Sequence, residues 1–194
     1  MLGFPVALLT VNGFEWYAHK TWLHEYPARH RNSPFFTHIR HHKRARLNGF
    51  ADAGYRESMW RDQEMFNEKV ALLGLCAVFT PAAPVAPFFT LGIYYGAWQY
   101  WRKHSRAHLD PAWARAHLPW HYDHHMNRDQ NANWCVTRPW FDYLMGTRVA
   151  GADSETESNP LGLPLPAWLE RPVNRLSRRW RPLRRETAPA AVAA

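Results

Sequence analysis

Hydrophobic and polar positions are distributed unevenly along this chain. From Val70 to Trp101 no Asp, Glu, Lys or Arg interrupts a run rich in Leu, Ala, Phe, Tyr and Trp, and Pro81, Pro84 and Pro87 cluster in its middle. A single membrane-crossing helix needs about 20 apolar residues, so the run is longer than one helix and short for two, and proline interrupts a helix interior. The pattern predicts a shallow apolar helical hairpin over 69–101. A second apolar stretch, Leu2 to Phe14, leads into Glu15-Trp16-Tyr17-Ala18-His19. It is short for a span and reads as the end of a helix. With no basic region ahead of it and no small-residue cleavage site, it is not read as a signal peptide.

The rest of the chain arranges itself around these stretches: a His-rich segment over 19–48, a linker with helical potential over 49–68, a second His-rich segment over 102–150, and a tail. No segment carries the alternation of a half-buried strand. The expected fold class is all-α, with membrane helices forming a short apolar hairpin beneath a His-rich helical cap. The expected division is a membrane-anchored catalytic domain over 1–150 and a polar linker with a basic Arg/Trp-rich tail, partly disordered, over 151–194. Within the tail, Gly151 to Pro160 lacks apolar periodicity and is expected to be loop, and Pro189 to Ala194 disordered. Between them Trp168, Leu169, Val173, Leu176, Trp180 and Leu183 are interleaved with Arg171, Arg175, Arg178, Arg179, Arg181, Arg184 and Arg185. That pattern suits either an interfacial helix on anionic lipid or a solvated basic tail. No nucleic-acid-binding motif accompanies it, so no nucleic-acid partner is expected.

Composition refines this picture. The length of 194 residues, 46% hydrophobic, suits one domain with a core. A mean hydropathy of -0.51 argues against a conventional multi-span transporter. The net charge of +8 does not by itself choose between partners, but the positions of the charges are informative. The segments Lys20–Arg46 and Arg102–Arg115 abut the apolar stretches and are rich in Lys and Arg. By the positive-inside rule they face the cytoplasm, together with both ends of the hairpin. Cys76 and Cys135 fit no paired-thiol metal spacing and read as free thiols.

The chemistry lies in the histidines. Of 12, ten form four tight clusters: His19 with His24; His38, His41 and His42; His104 with His108; and His121, His124 and His125. Residues three and four apart share a helix face, so the last three clusters can each aim their imidazoles at one centre. His19 and His24, five apart, are separated by about 140° on an ideal helix, so one of them is expected at a helix end or beside a π-bulge. Neutral imidazole suits Zn, Fe, Cu and Ni. Ten nitrogens exceed the four to six or so that one metal uses, which favours two metals. Zinc does not change oxidation state, whereas two irons can activate dioxygen. Ligand type does not separate the two, and the membrane setting favours oxidation of a lipid. His30 reads as a residue without a ligand role, and His117, four before His121, as an accessory ligand or a support for one. Asp110, Asp123, Asp129 and Asp142 read as orienting imidazoles or as ordinary loop and capping residues. Trp134, Trp140 and Tyr143 read as interfacial packing rather than site lining.

In order along the chain, His19-Lys-Thr-Trp-Leu-His24, His38-Ile-Arg-His41-His42, His104-Ser-Arg-Ala-His108 and His121-Tyr-Asp-His124-His125 are followed by Asn131-Ala132-Asn133-Trp134 and by Trp140 to Thr147. This ordered set resembles the sterol desaturase and fatty acid hydroxylase superfamily of membrane di-iron oxidoreductases, over about residues 15 to 148. The resemblance implies that the ten clustered histidines bind two metal ions in a cytosolic cap on membrane helices. It implies O2-dependent hydroxylation of a fatty acyl, sphingoid, sterol or carotenoid lipid whose alkyl chain rises from the bilayer. Desaturation on the same site, or metal binding without catalysis, is the alternative. No Cys-x-x-Cys-His haem attachment and no dinucleotide-binding glycine fingerprint is present. Electrons are therefore expected from an external carrier, cytochrome b5-like or ferredoxin-like.

Overall fold

Pro81 and Pro84 lie where the apolar run reverses direction, and Pro87 opens the returning helix, so the prolines mark the hairpin's turn. In the computed structural model, which describes residues 2–151, 165–180 and 184–186, the chain is mostly helical. Helix α1 (Gly3–Ala18) continues through a π-helical turn, His19–Glu25, into the short α2 (Tyr26–Arg29), and α3 (Phe36–Leu47) follows. The hairpin consists of α4 (Gln63–Phe79) and α5 (Pro87–Leu109). Helices α6 (Pro111–His117), α7 (Pro119–Met126) and α8 (Trp140–Met145) complete the cap, and α9 (Ala167–Trp180) lies in the tail.

Local chemistry explains the boundaries. Asp62 accepts from the backbone N–H groups of Glu64 and Met65 and so starts α4. Proline sits in the first turn of α5, α6 and α7, where its missing N–H costs nothing. Gly146, with φ of 72°, ends α8 in the left-handed conformation. One departure from an all-helical reading is a small parallel pair, β1 (Val149–Ala150) with β2 (Arg184–Arg185). Two-residue strands are too short to leave an alternation in the sequence.

Helix α1 packs closely along α5 because the contact is made of small residues. A Cβ at Gly92 would sit 2.6 Å from Ala7 Cβ and 2.9 Å from the Phe4 carbonyl, and one at Gly96 would sit 2.9 Å from Val11 Cγ1. Ala7, Val11 and Ile93 form the core between these helices, with Leu75, Phe79 and Phe89 against it. The outward faces are apolar as well: Leu9 is 51%, Leu73 66% and Val78 74% exposed. The stretch Gln63–Ala82 is long and apolar enough to cross a membrane, and among the described residues it is the single such helix. The cap has its own core of Phe50, Ala107, Ala114, Leu118 and Trp120. Of the tail, 152–160 and 189–194 lie outside the described residues.

Candidate metal centre

The π-helical turn solves the spacing of the first histidine pair. Its widened hydrogen bonding, as in Tyr26 N–H to the Thr21 carbonyl, places residues five apart on one face. The His19 and His24 rings then lie 5.1 Å apart. Helix α3 contributes His38, His41 and His42, the C-terminal end of α5 His104 and His108, and α7 His121, His124 and His125. All ten are buried, none more than 8% exposed. They form two groups able to hold a metal ion: His19, His24, His38, His42 and His124; and His41, His104, His108 and His125. The groups adjoin, with the His42 and His125 rings stacked 3.9 Å apart. His121 falls outside both groups, with Nε2 3.2 Å from His108 Nε2. His30 and His117 are exposed, and His117 stacks on Trp113.

The hydrogen bonds fix which nitrogen faces inward. His19 Nδ1 lies 2.6 Å from the Trp134 carbonyl, His124 Nδ1 2.7 Å from that of Ala132, and His108 Nδ1 2.9 Å from that of Phe50. Carboxylates serve three more: His38 Nδ1 lies 2.9 Å from Glu64 Oε1, His41 Nδ1 2.7 Å from Asp52 Oδ2, and His104 Nδ1 3.0 Å from Glu68 Oε2, which Tyr55 also reaches. Carbonyls and carboxylates only accept, so in the neutral rings of His19, His38, His41, His108 and His124 Nδ1 carries the proton and Nε2 keeps a lone pair; His104 Nδ1 also lies 2.8 Å from the Tyr55 hydroxyl, which can donate or accept. Those lone pairs converge. His19 Nε2 is 2.9 Å from His38 Nε2, and His42 Nε2 is 3.2 Å from the Nε2 atoms of His24, His38 and His124. No proton lies between His19 Nε2 and His38 Nε2, whose rings both donate through Nδ1, so the contact sets two acceptors against each other. A cation relieves it: two nitrogens bound at about 2.1 Å and at right angles are separated by about 3 Å. His41 Nε2 and both nitrogens of His125 are buried without a hydrogen-bond partner; His41 Nε2 and the one unprotonated nitrogen of a neutral His125 are then lone pairs free for a metal. The residues fit metal.

Burial holds nine of these imidazoles neutral. It pushes His19, His24, His41, His42, His104, His121 and His125 well below the usual histidine range, assisted by the neighbouring imidazoles. His108 and His124 are lowered to about 3, again chiefly by burial. Depressed folded values mean that, below the unfolded pKa of about 6.5, the unfolded chain takes up protons that the folded chain refuses. Stability of the metal-free chain is therefore full above about pH 6.5 and drains as pH falls toward 3. Thermal unfolding of the chelated protein should show a melting temperature that is level from pH 7.5 to about pH 6.5 and declines steadily from there to pH 4.5, and a profile flat down to pH 4.5 would refute the assignment.

Of the four aspartates, Asp110 and Asp129 take the capping and loop roles that were one of the two readings given for them. Asp110 caps α6 through Trp113 N–H, Asp129 accepts from Asn131 N–H, and Asp123 pairs with Arg148 at 2.8 Å. Asp142 acts at one remove: it accepts from Trp134 N–H and Cys135 N–H, both at 2.8 Å, and from the Thr147 hydroxyl. Glu15 binds the same segment from α1, accepting from Val136 N–H and from the Thr137 N–H and hydroxyl. Together they fix the carbonyls that anchor His19 and His124. Trp134 also departs from the packing role read for it, since its ring lies 5.0 Å from that of His24 and 5.4 Å from that of His124. The Arg138 guanidinium lies over the Trp140 ring, 5.1 Å from the ring centroid. Asp52, Glu64 and Glu68 carried no sequence signal, because each lies outside the histidine motifs.

A cavity opens beside the first group, with about 810 Å³ of empty space including its mouth. Its lining includes His19, His38 and Glu64 together with Val11, Phe14, Leu72 and Leu75 of α1 and α4.

Fold and site thus define a helical protein with two adjoining buried histidine groups able to hold metal ions beside an apolar cavity. The chain matches the fatty acid hydroxylase family model over residues 4–147, and it belongs to that family. No curated protein and no solved structure matches it.

Proposed function

We propose that this chain is an integral membrane oxidoreductase that hydroxylates a lipid C–H bond with dioxygen, using two iron ions held by the ten clustered histidines. The observation that carries the reading is the convergence of imidazole lone pairs beside an apolar cavity. Domain 1–150 is the catalytic unit and 151–194 an appended tail. The cap faces the cytoplasm, in keeping with the basic segments that flank the hairpin.

Each part of the chain has a task. The first group and the second, with His121 beside it, would each hold one ion; when bound, the ions supply the redox chemistry of dioxygen activation, which zinc would not. Asp52, Glu64 and the Glu68–Tyr55 pair keep His41, His38 and His104 in the Nδ1–H form, so that Nε2 stays free to bind. The wall from Glu64 to Leu75 spans about 16 Å of helix and takes an alkyl chain lengthwise, so that one carbon of that chain meets His19 and His38. The apolar lining excludes water from that carbon. In balance, one oxygen atom of O2 enters the C–H bond and the other leaves as water, with two protons and with two electrons from an external one-electron carrier.

The test is a lipid mass profile of cells expressing the wild type or His124→Ala, under air with a reductase system supplied. The expected result is a lipid that has gained one oxygen in the wild type and is absent from the variant. A lipid that has lost two hydrogens instead would reassign the chain to desaturation. Identical profiles would remove the enzymatic reading and leave a metal-binding protein.

A further inference from the structure

The tail helix α9 is unused by the site, and its chemistry is two-sided. Leu169, Val173 and Leu176 fall within an arc of about 60° on a helical projection, with Arg171 and Arg175 about 100° or more away from it. Trp168 lies on the basic side, about 20° from Arg175 on the same projection. Trp168 is 74% and Leu176 59% exposed, and Arg171 and Arg175 are exposed as well. A helix of this length is marginal in water unless its apolar side is covered, and Pro172 within it removes one stabilising hydrogen bond. What covers that side must also suit its charge: from Ala167 to Arg185 the sequence carries seven arginines, Arg171, Arg175, Arg178, Arg179, Arg181, Arg184 and Arg185, against the single acid Glu170. The far end of this stretch is tied to the cap. β2 pairs with β1, and Glu186 Oε1 accepts from Arg128 N–H at 2.7 Å and Asp129 N–H at 3.0 Å, just beyond α7.

We infer that α9 is an anchor for an anionic phospholipid surface, lying in the plane of the interface with Leu169, Val173 and Leu176 toward the acyl chains and its arginines among the headgroups. An amphipathic helix with a strongly basic polar side binds in this way by combining apolar burial with charge attraction. The tether through β2 makes this anchor part of the cap.

The test uses the full chain carrying Leu176→Cys with an environment-sensitive fluorophore, in a Cys76→Ser background because Cys135 is buried. The protein is reconstituted into vesicles of phosphatidylcholine alone or with phosphatidylglycerol. The expected result is a blue shift of emission in the phosphatidylglycerol vesicles, reduced at high salt and lost in the Arg171→Glu/Arg175→Glu variant. Equal emission in both lipids, or a shift that survives the double charge reversal, would overturn the inference. A shift in phosphatidylcholine that grows with protein density would assign this side to a second copy of the chain and overturn it too. Alkaline extraction of the same vesicles reads hairpin insertion separately, so that failure of the integral-membrane reading is told apart from failure of the anchor.

Discussion

Replacing Asp142 with alanine is expected to lower the melting temperature of the detergent-solubilised chain by about 10 °C or more. This fully buried carboxylate accepts from Trp134 N–H, Cys135 N–H and the Thr147 hydroxyl, and alanine leaves those donors buried without partners. Each of the three orphaned donors costs about 1–3 kcal/mol, so the loss is about 3 kcal/mol or more, a large fraction of a typical folding free energy. Part of the damage reaches the site, because the Trp134 carbonyl orients His19. Asp142→Asn, which keeps one acceptor oxygen, should fall between wild type and alanine. A melting temperature within about 2 °C of wild type for Asp142→Ala would show that the 132–137 segment does not depend on this anchor.

The second large effect is expected at Asp52, on metal retention rather than on stability. Asp52 Oδ2 accepts a hydrogen bond from His41 Nδ1–H at 2.7 Å and also binds Arg44 at 3.0 Å. Without it the His41 ring is free to change tautomer and to rotate, and loss of such a support typically weakens metal binding 10- to 100-fold or so. Asp52→Ala should therefore surrender one of two metal ions to a competing chelator at about 10- to 100-fold lower chelator concentration, while the other is kept. Asp62→Ala is the control, since Asp62 also binds Arg44, at 3.1 Å, and caps α4. It should cost about 1 kcal/mol of stability and leave retention unchanged. Equal retention by wild type and Asp52→Ala would remove Asp52 from the site.

The gathering of histidines was legible because their spacing is local: residues three and four apart meet on any helix, and the five-residue gap between His19 and His24 called for a helix end or a π-bulge, of which the π-helical turn is found. The hairpin was legible for a similar reason, its prolines standing in an uncharged run. The groups that orient the rings were not. His38 meets Glu64, His41 meets Asp52 and His104 meets Glu68 only after α3, the loop beyond it and α4 have packed together, and no periodicity records such a meeting. Carbonyl anchors leave no signature at all, since every residue has a carbonyl. Glu15 and Asp142 act through the backbone of a third segment and so look like ordinary helix residues. Trp134 was misplaced because aromatic residues near an apolar hairpin commonly pack at the interface, whereas here the segment that carries it is drawn under the histidines.

The central claim is that two separable metal ions are held by two groups of histidines, and elemental analysis of the purified chain tests it most directly. Wild type should contain about two iron ions per chain, and His24→Ala/His42→Ala and His104→Ala/His108→Ala about one each, with four to six ligands or so per ion. One ion or none in the wild type after reconstitution with ferrous iron, or complete loss of metal from either double variant, would contradict it.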